Sequence, residues 1–310
     1  MELPFKLPGD REFDAAGFGT NAVDYLLRLP AFPASGGKHE ITSYAVEPGG
    51  EVASTMFGLQ RLGYKTAYAG SFGDDPAGQI GLGSLTEAGV DCRYSRVIPG
   101  AATQVGFILV DESSGERTVL WQRDERLKFA PSDTPVELVE RTKLIHLTPH
   151  DTDACITLAL KARQSGTIVS IDIDNIFDGV EELLPLVDIC IASEDLPARL
   201  TGIADIDEAL AALAETYGCG IAGVTLGTNG SKVLTGGKVI DSPAYPVPGG
   251  CIDTTGAGDA FRTGFLYGVI SDVSVEECCI YANAAAALKC RTQGARRGLP
   301  TANELQTTLK

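Results

Sequence analysis

The sequence predicts an α/β fold: a central, mostly parallel sheet with helices on both faces and a small β-strand lid. Two observations carry that expectation. Apolar, β-rich runs alternate with helical patterns over most of the 310 residues, and continuous apolar strands joined by helical crossovers make parallel sheets covered on both faces. Two other regions alternate apolar with polar residues, as strands with one wet face do.

The opening run GFGTNAVDYLLRLPAFP (17–33) reads as a strand that Leu29-Pro30 and Phe32-Pro33 cut short. Those prolines argue against a dinucleotide-binding helix after the G-x-G-x-x-A pattern. Glu40–Val46, Gln104–Val110 and Glu116–Gln122 are the alternating strands, the last two joined by a turn at Asp111–Gly115. They predict lid insertions at about 33–48 and 101–124 in a single domain spanning 1–310. Between them, PGGEVASTMFGLQRLG (48–63) reads as a helix with Val52, Met56, Leu59 and Leu62 inward and Gly63 at its end. Lys143–Thr148, Thr167–Ile173, Val187–Ala192 and Ile221–Leu226 are the parallel strands, with helices at Asp153–Gln164 and Ile206–Tyr217. His146 and His150 stand four apart, but Pro149 between them points to strand-end residues, not a metal pair.

A hydrophobic content of 44% and a charged content of 21% are those of a globular protein. A net charge of −16 excludes a general nucleic-acid binder, which needs a basic surface. No apolar run has the length of a membrane helix and no signal peptide is visible, so cytoplasmic residence is the expectation. The eight cysteines lack a C-x-x-C pair and read as ordinary buried thiols.

The chemistry concentrates in DTTGAGDAFRTGFLYG (253–268). Gly256, Ala257 and Gly258 leave backbone amides bare at a helix start, a place that attracts anions. Asp259 follows at once, where a carboxylate alone would repel a phosphate. Phosphoryl transfer to a hydroxyl reconciles the two: the acid takes the hydroxyl proton while the amides hold the charge on the migrating group. No G-x-x-x-x-G-K-[ST] loop is present to bind a nucleotide another way.

DTTGAGDAF resembles the D-T-x-G-A-G-D signature of the ribokinase-like (PfkB-type) carbohydrate kinases, and the resemblance spans nearly the whole chain. It implies a ribokinase-like fold, ATP and Mg²⁺ as cofactors, and a small-molecule sugar as partner. By the same resemblance Asp259 is the catalytic base and Gly256–Gly258 the anion hole. Asn21, Asp24, Gly49, Gly50 and Ser54 match sugar-holding positions, with Ser54 where many members have Asn. Arg117 matches an arginine that faces phosphates in ketohexokinase-like relatives; a solvated lid arginine is the other reading. VTLGTNG (224–230) places Thr225, Gly227 and Gly230 by the nucleotide, and YANAAAALKC (281–290) places Asn283 by the adenine. Asp253 and Thr255 match positions that bind a monovalent cation such as K⁺ in some members. SEDLPARLTG (193–202) departs from the family's N-E-x-E: Ser193 replaces the Asn, Glu194 matches as a Mg²⁺ contact through water, and Leu196 takes the second acid's place.

The substrate stays open between a ketose, a pentose and a sugar acid. A nucleoside kinase, with Trp121 or Phe107 clamping a base, and a silent sugar- or nucleotide-binding regulator are the alternatives. Lid strands with free edges imply a homodimer.

Overall fold

The computed structural model describes residues 1–113 and 117–310. The tip of the hairpin expected at Asp111–Gly115 lies outside the described residues, as does Glu116.

Fourteen strands occur among the described residues. Those of the body are β1 (Phe13–Phe18), β4 (Thr66–Ala69), β9 (Thr142–Leu147), β10 (Ile168–Ile173), β11 (Ile189–Ala192), β12 (Ile221–Thr225), β13 (Ser231–Thr235) and β14 (Lys238–Ser242). They form one sheet in the order β14-β13-β12-β11-β10-β9-β1-β4. Pairings from β4 to β12 are parallel, and β13 and β14 extend the sheet antiparallel. Alternate residues of β11 feed opposite cores: Cys190 and Ala192 on one side, Ile189 and Ile191 on the other. Both faces are therefore dry, which is why these strands read as unbroken apolar runs.

Helices Thr152–Ser165 and Ile206–Tyr217 cover the first face; Glu51–Arg61 and Ala257–Ile270 cover the second. Helix Ala257–Ile270 packs closely on Val275–Lys289 because Gly264 and Gly268 leave room. A Cβ at Gly264 would lie 2.4 Å from the Tyr281 carbonyl oxygen, and one at Gly268 would lie 2.7 Å from Cys278 Sγ. Six of the eight cysteines are buried, and none is paired.

The lid is a second sheet. Strands β2 (Ala22–Leu29), β3 (Ser43–Gly49), β7 (Val105–Asp111) and β8 (Arg117–Gln122) pair in the order β3-β2-β7-β8. The first of them corrects the expected boundary, because residues 22–29 belong to the lid and not to the opening body strand. The chain turns at Gly19, which packs against the end of β9; a Cβ there would sit 2.2 Å from Thr148 Oγ1. A short pair, β5 (Ser71–Gly73) with β6 (Arg96–Ile98), completes the strands.

Register fixes the faces of the lid. Asp24 pairs with Gly106, which pairs with Trp121, and Arg28 pairs with Val110, which pairs with Arg117. Paired residues share a face, so Asp24, Arg28, Arg117 and Trp121 point the same way. Tyr25, Phe107 and Leu120 point the other way, with Tyr25 and Phe107 stacked at 5.1 Å. Arg28 reaches the Ile252 carbonyl at 3.2 Å and Arg117 reaches Thr254 Oγ1, so the Asp24 face looks onto the body.

Candidate active site

A cleft of about 890 Å³ opens at the carboxyl ends of the body strands, where ligands gather in α/β sheets. Asp172 and Asp174 line it at the end of β10, Ser193 after β11, Thr225 at the end of β12. Gly256, Ala257, Gly258 and Asp259 line it at the start of the helix Ala257–Ile270. Gly256 has φ +75°, a left-handed conformation, and a Cβ there would meet Ala295 at 2.8 Å. Glycine is required twice over at this position.

The expected three-amide cradle is altered in one member. Ala257 N–H donates to the Thr254 carbonyl at 3.0 Å, closing a turn. The first-turn amides of Gly258 and Asp259 have no intrahelical acceptor.

Asp259 stands next to them, and its pKa is raised to about 6. Burial is the main cause; Arg262, Lys289 and Arg296 oppose it and Asp174 adds to it. Asp24 is raised to about 7, again by burial first and then by Asp259, with Arg296 opposing. Asp24 does not line the cleft, but the charge of Asp259 is felt at it. Gly49 and Gly106 make room for Asp24: a Cβ would lie 2.2 Å from its Oδ2 at the first and 2.7 Å from its Oδ1 at the second. Gly50, at φ +88°, packs on the Asn21 backbone, where a Cβ would sit 2.4 Å from Asn21 Cα. These glycines leave room for the Asp24 side chain and for the Asn21 backbone.

Asn21 Nδ2 donates to the Ser71 carbonyl at 2.8 Å and to Tyr68 Oη at 3.3 Å, which leaves its Oδ1 buried without a partner. Ser54 is fully buried, and its Oγ accepts from Arg296 Nε at 3.4 Å. It stands behind Arg296, which is the reason a short side chain suffices there.

Thr225, Gly227, Gly230 and Asn283, the residues expected beside a nucleotide, all line the cleft. Gly230 is needed by its turn, with φ +88° and a Cβ position 2.1 Å from the Ser242 carbonyl oxygen. Asn283 Nδ2 is bonded to Ser231 Oγ and Ser242 Oγ, each at 3.1 Å, so it braces β13 and β14 beneath the cleft.

Glu194 is exposed and does not line the cleft, while Leu196 is fully buried. The acids that do line it are Glu51, Asp172, Asp174 and Asp259. Sequence reasoning missed the roles of Glu51, Asp172 and Asp174. The signal was there in IDID at the end of a predicted strand, since strand ends are where site residues sit. Burial pushes Glu51 well above the carboxylate range, and Asp172, Asp174 and Asp259 push it further. Asp172 rises to about 7 by burial, although Arg262 pairs with it at 2.5 Å. This crowding of negative charge fits a divalent cation carried in with phosphates. Among the described residues no three acids, histidines or cysteines form a cage.

Asp259 and the first turn of its helix thus line one cleft together with Arg117 of the lid. The family follows from comparison with known proteins: residues 18–302 match the pfkB family carbohydrate kinase model, and the chain belongs to that family. It is 29% identical over 288 residues to an ATP-dependent ribose-1-phosphate kinase of Halopiger xanaduensis, covering 92% of this chain and 94% of that one. It is 30% identical over 291 residues to a fructokinase of Klebsiella pneumoniae, covering 84% and 92%. A putative ribokinase from Agrobacterium tumefaciens superposes with a TM-score of 0.87 at 25% identity, covering 96% and 97%. The expected ribokinase-like fold and kinase class are therefore established. Among the described residues no helix is long and apolar enough to cross a membrane.

Proposed function

We propose that the chain transfers the γ-phosphoryl group of ATP to a primary hydroxyl of a ketose, pentose or sugar acid. The observation that carries this is Asp259, which lines the cleft beside the first-turn amides of its own helix and whose pKa burial raises to about 6. Asp24 and the unpartnered Oδ1 of Asn21 hold acceptor hydroxyls. Asp259 takes the proton as the hydroxyl oxygen bonds to phosphorus and the ADP oxygen leaves. The Gly258 and Asp259 amides meet the charge on the transferring group. Mg²⁺ bound with the nucleotide supplies charge neutralisation, and Asp172, Asp174 and Glu51 are the carboxylates placed to hold its water shell. Arg117, on the lid and at the cleft edge, reaches over the phosphates.

A nucleoside kinase is the second reading, because Trp121 shares the Asp24 face and is 64% exposed, open to stack on a base. Phe107 does not serve this reading, since it lies on the opposite face. The relatives phosphorylate different acceptors by their names, so the acceptor is settled by ADP release over a panel of sugars, sugar acids, sugar phosphates and nucleosides. Release with a sugar class supports the proposal. Release with nucleosides alone moves the assignment to the second reading. Thermal stabilisation without ADP release for any acceptor defeats both and leaves a silent binder.

The outer lid face, with Tyr44 70%, Leu120 55% and Phe107 42% exposed, is where we place a homodimer contact. Light scattering on the wild type and on Leu120→Glu checks this: the first is expected at twice the chain mass and the second at once. A monomeric wild type removes the dimer.

A further inference from the structure

Lys289 ends the helix Val275–Lys289 and is fully buried. Its Nζ donates to the carbonyl of Asp253 at 2.8 Å. Around this bond two short segments close on each other. Asp253 Oδ1 accepts from Thr255 N–H and Oδ2 from Gly294 N–H, both at 2.8 Å. Ile252 N–H donates to the Cys290 carbonyl at 2.8 Å. A Cβ at Gly298 would lie 2.3 Å from the Lys289 carbonyl oxygen, so the second segment is packed without slack.

Asp253 and Thr255 are where the family resemblance implies a monovalent cation. The residues present do not fit one. A bound K⁺ is held by oxygens; Thr255 Oγ1 is buried without a partner, but the Asp253 carbonyl already accepts from the Lys289 ammonium. Arg117 adds a second positive charge felt at Lys289. A free cation entering this knot meets like charge, and the ammonium cannot leave because its stem is buried. An alkylammonium and K⁺ are both compact single charges that oxygen cages accept, so one can do the work of the other.

We infer that Lys289 is a built-in replacement for a monovalent cation. Its ammonium pins the Asp253 carbonyl and thereby sets the loop Asp253–Gly256, from which the anion-facing amides and Asp259 follow. Lys289 is a positioning residue and touches no substrate. The inference rests on the kinase reading of this site.

The wild-type protein tests it first, with turnover and melting temperature compared in KCl, NaCl and choline chloride at equal ionic strength. Both are expected to be the same within twofold in rate and within error in melting temperature. A several-fold activation specific to K⁺, or a K⁺-specific rise in melting temperature, overturns the inference. The second measurement uses Lys289→Met, with Lys289→Gln as a substitute should the first fail to fold. Turnover in choline chloride is expected to fall tenfold or more. K⁺ or NH₄⁺ is expected to restore part of both turnover and melting temperature, and Li⁺ neither, a size selectivity that a merely structural lysine does not produce. Unchanged turnover in choline overturns the inference, and so does a loss that neither K⁺ nor NH₄⁺ repairs. Should no acceptor support turnover, the kinase reading fails, while the melting comparison still decides whether the knot binds a free cation.

Discussion

Replacing Asp259 by Asn is expected to lower kcat by about 10²–10⁴, the usual worth of a positioned base, while the melting temperature rises. The two effects share one cause. Burial and the neighbouring acids lift the Asp259 pKa from 3.8 to about 6, so at pH 8 the folded protein holds a carboxylate where a neutral group is preferred. Asn keeps the shape and removes the charge, and relief of ~3 kcal/mol is expected at pH 8.

The sign with pH follows from the same shift. Between 3.8 and about 6 the folded state holds a proton at Asp259 that the unfolded state releases. The stability contribution of this group is therefore full below 3.8 and lost as pH rises through 6. Activity runs the other way, since a protonated base cannot accept. In the wild type kcat/KM falls below pH 6 while the Asp259 contribution to stability grows. In Asp259→Asn both trends flatten. Near-normal turnover in that variant, measured by ADP release, would remove Asp259 from the chemistry. A melting temperature below that of the wild type at pH 8 would mean that its charge is paid for by neighbours already. Function here is held against stability, as buried catalytic charge commonly is.

The parallel body was legible because its strands are dry on both faces and therefore unbroken in apolar character. Ile206–Tyr217 was read residue for residue, since Asp205 caps it and Gly218 ends it in a left-handed turn. The lid was legible only in part. Strand β2 carries polar and charged residues among apolar ones, AVDYLLRL, and nothing in that string says whether it extends β1 or crosses to another sheet. The decision is made by contact of Gly19 with Thr148, 129 positions away, which no local pattern contains. Asp259 and the glycines before it were legible as one helix start because they sit side by side in sequence. Glu51, Asp172 and Asp174 were less so: each is one acid at the end of an element, and only the fold brings the three to one cleft. Lys289 and Arg296 carried no signal at all, since a basic residue near the C-terminus reads as solvated until packing is known.

Arg296 carries the second large effect. It is 3% exposed, and its guanidinium donates to the Gly49 carbonyl at 2.6 Å and to Ser84 Oγ at 3.0 Å. Burial lowers its pKa to about 10, with Tyr68, Asp24 and Asp259 holding it up, so it stays charged at neutral pH. It is thus a positive charge felt at both Asp24 and Asp259, and it also ties β3 to the helix Pro76–Glu87 through Gly49 and Ser84. Arg296→Met removes both functions. The Gly49 carbonyl and two serine hydroxyls lose a donor, and Asp24 and Asp259 lose a positive charge that opposes their raised pKa values. A loss of ~3–5 kcal/mol in unfolding free energy is expected, the range for breaking a buried charge network by deleting one partner. The acid limb of kcat/KM is expected to move to higher pH, because both carboxylates then hold their protons more tightly. Arg296→Lys keeps the charge without the fork, so the limb is expected to stay while part of the stability goes. Denaturant unfolding and a pH series on both variants separate charge from packing. If the methionine variant lost less than ~1 kcal/mol and kept the wild-type limb, Arg296 would be neither a brace nor a counter-charge, and the pKa of Asp259 would have to be set by Arg262 and Lys289 alone.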